Sequence, residues 1–181
     1  MIRLSDCAAI RLSADTQIRA FDCGENDLND FLLNAAKIHT QDLLSVTLLF
    51  EYGNTTVAFY SVCNDNISLD SFRDKTAFDI FRSLFPKPKR FKSFPAVKLA
   101  RLGVHSTYQS AGIGTQILDY IKMSFTTRNK TGCRYVTVDA YNNERTLRFY
   151  QRNGFDFLTA KDDKRDTRLM YFDLKRFAHA S

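Results

Sequence analysis

Two short stretches hold the groups best suited to chemistry. The first reads Gln109-Ser110-Ala111-Gly112-Ile113-Gly114-Thr115 and falls between a β-rich run and an apolar helical pattern. A helix leaves its first amide N–H groups without partners, and its dipole makes that end partly positive. Glycines let the backbone approach phosphate oxygens with no Cβ in the way. Thr115 adds a hydroxyl. The segment therefore suits a diphosphate. It is neither the dinucleotide fingerprint GxGxxG nor a P-loop, which needs GK[ST]. A helix start that keeps its glycines only for close packing would read the same way.

The second stretch runs from Asn143 to Tyr150. Asn143, Thr146, Leu147 and Tyr150 stand at i, i+3, i+4 and i+7, hence on one face of a helix. A phenol with a pKa of about 10 stays protonated at pH 7 and can donate a proton to a leaving group. A packed core tyrosine whose hydroxyl finds a backbone partner fits the same spacing.

The surrounding patterns predict the elements that carry these groups. Residues 8–13 read as a first strand. Asn26 reads as the cap of a helix whose buried face is Leu28, Phe31, Leu32 and Ala35. Ser45–Phe50 and Thr55–Val62 read as a hairpin around Tyr52, Gly53 and Asn54. Residues 71–85 read as a helix and Val97–Val104 as a strand. From Gly112, Ile113, Ile117 and Ile121 keep helical spacing. Cys133–Ala140 reads as a strand and Asn143–Asn153 as a short helix stopped by Gly154. Phe155–Leu158 and Arg168–Leu174 read as the last two strands. Early hairpins followed by a strand–helix–strand unit predict a mixed α/β sheet.

The chain has 181 residues, 44% of them hydrophobic, which suits one soluble domain over 1–181. No apolar run approaches the length of a membrane span, and the first residues lack a secretory pattern. The four cysteines form no CxxC pair and have no histidine at ligand spacing. They read as ordinary thiols of a cytoplasmic chain, with no metal site. Lys and Arg number 26 against 20 Asp and Glu, for a net charge of +6. That excess favours polyanions. Arg82, Lys87, Lys89, Arg90 and Lys92 form an acid-free run broken by Pro86 and Pro88, which reads as an exposed loop.

Taken together, Leu99–Val104, Gln109–Gly114, Val136–Ala140, Asn143 and the Phe149-Tyr150 to Gly154-Phe155 segment resemble the GNAT family of N-acetyltransferases in order and spacing over 97–158. The family pattern is a strand, a Gln/Arg-x-x-Gly-x-Gly/Ala turn, a helix, a strand, Asn, and a helix with FY-x-x-x-GF. The resemblance implies the GNAT fold, a central twisted mixed sheet of six to seven strands flanked by helices. It implies that amides from Gln109 through Ser110, Ala111, Gly112, Ile113, Gly114 and Thr115 hold the pyrophosphate of acetyl-CoA, the acyl donor. The backbone of Leu102, Gly103 and Val104 would pair with the pantetheine and orient the acetyl carbonyl. An amide near Val104 could steady the developing oxyanion. Asn143 would support the cofactor arm, and Tyr150 would stand beside the sulfur as general acid. Thr146 departs from the small Ala usual in the family.

Phe21-Asp22-Cys23-Gly24 and the NDLNDFLLNAA segment at 26–36 resemble the FDCG-x-x-x-LNxFL segment of the toxin-type, TacT-like branch. That branch acetylates the α-amino group of aminoacyl-tRNA and so blocks translation. The resemblance implies charged tRNA as acceptor, an antitoxin partner, a homodimer and no membrane. A basic rim suits a polyanionic acceptor stem. Lys87, Lys89, Arg90 and Lys92 are the first candidates for RNA contact, followed by Lys122, Arg128, Lys130 and Arg134. An α-amino group titrates at about 8, so part of it is neutral at pH 7 and needs little help from a base. His105, just after the strand, is a candidate base, while His39 and His179 lack supporting context. The chain departs from the branch in having Lys37 as the lone cation of the 26–38 helix and acids at Asp70, Asp74 and Asp79. A small-molecule or protein amine is the alternative acceptor, and a non-catalytic CoA- or RNA-binding module the third reading.

Overall fold

β-Branched and aromatic runs separated by turn residues become seven strands of one mixed sheet, and the longer apolar periodicities become helices. The computed structural model describes residues 2–85, 92–127, 129 and 132–178. The strands are β1 (Ala8–Arg11), β2 (Val46–Tyr52), β3 (Thr55–Ser68), β4 (Ser93–Val104), β5 (Tyr135–Tyr141), β6 (Asp156–Phe157) and β7 (Thr167–Asp173). Their order is β1-β2-β3-β4-β5-β7-β6. The chain divides into two compact units, 1–63 with 99–121, and 64–98 with 122–181. Among the described residues no helix is long and apolar enough to cross a membrane.

In the first unit β1, β2 and β3 form an antiparallel meander, with Ala8 opposite Glu51 and Val46 opposite Val62. One face buries Leu12, Phe21, Phe31, Leu32, Ala36, Leu49 and Phe59 in a common core. The helical stretch over this core has three parts: α1 (Asn26–Asp30), a π-helical turn (Phe31–Ala35) and α2 (Ala36–Gln41). Asn26 is the first helical residue and not the cap, which corrects the sequence reading. Asp22 and Asn29 tie the entry down instead. Asp22 Oδ1 accepts from Gly24 N at 2.8 Å and from Asn29 Nδ2 at 2.7 Å, and Asn29 Oδ1 accepts from Cys23 N at 3.0 Å. The π turn adds a residue to one turn, with Ala36 N–H donating to the Phe31 carbonyl. The buried stripe therefore shifts by one position: Ala36 is fully buried and Ala35 only partly so.

In the second unit β5 pairs in parallel with β4 at Ala96–Lys98 and antiparallel with β7, which also carries β6. An aromatic core holds Phe72, Phe78, Phe81, Phe94 and Tyr135. Helix α3 (Lys75–Ser83) starts four residues later than the periodicity predicts, because the Asp74 side chain caps it by accepting from Ala77 N at 2.9 Å. The last strand ends at Asp173 rather than Leu174. Asp173 Oδ1 accepts from Lys175 N at 3.0 Å and so opens a terminal helix, α6 (Leu174–Ala178). All four cysteines are free.

Candidate active site

The C-terminal end of β4 carries Leu102, Gly103 and Val104, all beyond the last pair with β5 at Lys98. Gly103 is buried against two aromatic rings. A Cβ there would lie 2.6 Å from Phe59 Cε1 and 3.1 Å from Phe21 Cζ. Phe59 and Phe21 are themselves buried edge to face, 5.3 Å apart. Gly103→Ala is therefore expected to destabilise the fold by about 1–3 kcal/mol, the usual cost of overpacking. A denaturant titration checks this; a wild-type midpoint would mean that the rings yield freely.

Beyond β4 the chain makes a 3-10 turn (Ser106–Tyr108) and then the glycine-containing turn. His105 Nδ1 accepts from Thr107 N at 3.2 Å, which leaves the proton of the neutral ring on Nε2. The ring also packs edge-on to Phe21 at 6.0 Å. In this arrangement His105 helps to hold the turn. The Gln109 side chain points back into the fold, where Nε2 donates to Cys23 O at 2.8 Å and Val104 O at 3.0 Å. It welds the FDCG loop, the end of β4 and the turn together. Asp22 belongs to the same weld: its carbonyl accepts from Ser106 N at 2.8 Å. Its carboxyl is held below the usual range by the bonds from Gly24 N and Asn29.

Ser110 and Gly112 both have left-handed backbones, with φ of +62° and +80°. Such turns aim successive N–H groups into a shared concavity. Helix α4 (Ile113–Thr127) follows at once. Its first helical bond is from Gln116 N to Gly112 O at 3.1 Å. The N–H groups of Ile113, Gly114 and Thr115 thus precede the ladder. Ile113, Ile117 and Ile121 are buried beneath, as their spacing predicts. Ser110, Gly112 and Thr115 are exposed. A rigid, exposed, positive helix start is chemically fit for a pyrophosphate.

In the second unit Asn143 caps α5 (Glu144–Arg152), its Oδ1 accepting from Thr146 N at 2.9 Å. Tyr150 is the buried residue of this helix, 7% exposed, packed against Phe149 and Phe155 at 5.1 and 5.4 Å. Burial pushes its phenol above the ordinary range. Among the described residues no group hydrogen-bonds the Tyr150 hydroxyl, and it is not one of the sealed, unpaired polar atoms. Gly154 ends the helix with φ +83°, and Phe155 N returns to Tyr150 O at 3.1 Å.

The cations sort differently from the sequence expectation. Lys92 is exposed. Lys87, Lys89 and Arg90, like Arg128, Lys130 and His179, lie outside the described residues. Lys122 is 5% exposed; its Nζ donates to Asn153 O at 3.0 Å and sits over Phe172 at 4.7 Å. Arg134 is bidentate on Asp173, at 2.8 and 2.7 Å. Lys122 and Arg134 are therefore spent on the fold, which corrects their reading as RNA contacts. Arg82 is paired too, with Asp79 at 3.0 Å.

Residues 81–156 match the model of the acetyltransferase (GNAT) domain. This stretch is similar to a GNAT acetyltransferase domain. The match takes in β4, the turn, α4, β5 and α5, and so every cofactor and catalytic candidate. Solved structures with the same fold cover nearly the whole chain. AtaT complexed with acetyl-methionyl-tRNAfMet is similar with a TM-score of 0.76 and 20% identity, over 97% of this chain and 99% of that one. AtaTR bound with AcCoA has a TM-score of 0.72 and 22% identity, over 97% and 98%. A tyrosine-to-phenylalanine mutant of KacT has a TM-score of 0.71 and 19% identity, over 96% and 99%. No curated protein matches the sequence. The sheet has seven strands and is mixed, in agreement with the fold expected from the sequence.

Proposed function

We propose that this protein is an acetyl-CoA-dependent N-acetyltransferase of the toxin type, acetylating the α-amino group of aminoacyl-tRNA and so blocking translation. The activity belongs to the whole chain, 1–181, working in the cytoplasm. The observation that carries this reading is the turn after β4, where left-handed Ser110 and Gly112 lead into the open first amides of α4 within the matched domain. The likeness to AtaT complexed with acetyl-methionyl-tRNAfMet supports the acceptor. The likeness to AtaT bound to the C-terminus of the antitoxin AtaR supports an antitoxin partner. A homodimer belongs to the same proposal.

Acetyl-CoA supplies the activated acetyl group. This chain's own groups do the rest. Amides of 109–115 bind the diphosphate, with Gln109 keeping the turn in shape from within. The strand end at Leu102–Val104 aligns the pantetheine, and a Val104 amide stabilises negative charge as it builds on the acetyl oxygen. Asn143 Nδ2, left over from the cap, steadies the cofactor arm. Tyr150 gives its proton to the departing sulfur. The acceptor amine, neutral in appreciable part at pH 7, needs no strong base, which accords with His105 being occupied in the turn.

The burial of Lys122 and the pairing of Arg134 favour one alternative, a small-molecule or protein amine as acceptor. A non-catalytic module would have no use for Tyr150 as a proton donor. Transfer of labelled acetyl to bulk tRNA, charged against deacylated, separates these readings. Label on charged tRNA alone, released by mild base as an acetyl-amino acid, is the expected result. Label on polyamines, amino acids or peptides but never on RNA would move the acceptor to a small molecule or protein.

A further inference from the structure

One exposed cation of the first unit is fixed in place without a counterion. Arg101 stands on β4 immediately before Leu102–Val104. Its guanidinium lies over the Phe31 ring, 5.1 Å from the centroid, and Nη1 donates to Ala100 O at 2.8 Å. Among the described residues Arg19, Arg82, Arg134, Arg148, Arg168 and Arg176 are each paired with a carboxylate. Arg101 pairs with none among the described residues. Holding a long side chain still costs entropy, and here no ion pair offsets it.

The platform beneath is also specialised. Phe31 opens the π-helical turn, a rare distortion that concentrates at functional places. The ring is buried, stacked on Phe59 with an interplanar angle of 18°. The His39 ring packs perpendicular to it, with 5.3 Å between the centroids. Arg101 and His39 each contact this one ring. A planar guanidinium with Nε and Nη2 still to donate matches phosphate oxygens in a way an ammonium does not. Single-stranded RNA ends bind proteins through such aromatic and arginine surfaces together with phosphate contacts.

We infer that Arg101, laid over Phe31, is a phosphodiester-binding subsite for the single-stranded 3′ end of the acceptor RNA. This rests on the aminoacyl-tRNA reading of the same protein. The helix itself offers only Lys37, and the strand end lays the missing cation over it.

Arg101→Ala and Arg101→Lys, in the full chain, test the subsite by binding of deacylated tRNA across a salt series, with acetyl-CoA affinity and melting temperature as controls. The alanine variant is expected to weaken RNA binding about tenfold and to lower the salt slope by about one phosphate contact. Acetyl-CoA binding stays as in the wild type. Arg101→Lys keeps the slope but recovers only part of the affinity, having the charge without the fork or the stack. Phe31→Leu, which leaves the charge and removes the ring, gives a similar partial loss. Wild-type affinity and slope in Arg101→Ala would overturn the subsite. RNA binding that depends on Arg101, with no acetyl transfer to charged tRNA, would retain the subsite and sink the proposed reaction. Transfer to charged tRNA that ignores Arg101 would do the reverse, and a wild type that binds no RNA would end both.

Discussion

Tyr150→Phe is expected to lower kcat by well over tenfold while acetyl-CoA binding stays intact. The substitution removes only the hydroxyl. The ring contacts with Phe149 and Phe155 remain, so the fold has no reason to change. Positioned general acids contribute roughly 10²–10⁴-fold, and a tenfold loss already corresponds to about 1.4 kcal/mol of barrier. The hydroxyl has no partner to orphan among the described residues, so the loss falls on the reaction and not on stability. Steady-state kinetics with calorimetric titration of acetyl-CoA separates the two. An unchanged kcat would remove Tyr150 from the mechanism. The pH profile follows from the same burial. A phenol raised above its ordinary value of about 10 stays protonated throughout the neutral and mildly alkaline range. No alkaline fall in kcat assignable to Tyr150 is expected below about pH 10; a fall near pH 8 that vanishes in Tyr150→Phe would contradict the packing described above.

The second large effect is on the donor. Gly112→Ala is expected to raise the Kd for acetyl-CoA at least tenfold. The new Cβ meets nothing closer than Gln116 Nε2 at 3.9 Å, so the fold has room for it. The cost to stability is that of a left-handed non-glycine residue, about 1–2 kcal/mol. The larger cost is at the ligand, because the methyl stands in the row of amides where phosphate oxygens approach, and a backbone that relaxes away from φ +80° no longer aims those amides together. Titration with CoA, which lacks the acetyl group but keeps the diphosphate, is expected to show the same loss. Wild-type affinity for both ligands would place the diphosphate elsewhere.

The comparison of pattern with structure is uneven for physical reasons. The buried face of α4 follows from Ile113, Ile117 and Ile121, since a regular helix repeats its face at fixed intervals. The N-terminal helix fails that rule at one point. The π turn inserts a residue and moves burial from Ala35 to Ala36, which no periodic reading allows for. Two element ends differ because a side chain decides them. Asp74 delays α3, and Asp173 turns the end of β7 into α6. Asp-x-Gly after Phe21 was the available signal for the Asp22 turn, because a carboxylate bonding two residues ahead is a local preference.

By itself the sequence determined the class of fold, the glycine turn between β4 and α4, and the place of Tyr150 on the inner face of α5. Each depends on contiguous residues, whose spacing is set by helix and strand geometry alone. The tertiary structure decided which charges remain available. Lys122 and Arg134 look like surface cations in a list of residues, yet one is buried on Asn153 and the other locked to Asp173, residues 31 and 39 positions away. Arg101 looks ordinary, yet the strand lays it over Phe31, 70 positions earlier in the chain. Charge neutralisation and stacking depend on distances of a few ångströms between residues far apart in sequence, and only the folded chain sets those distances.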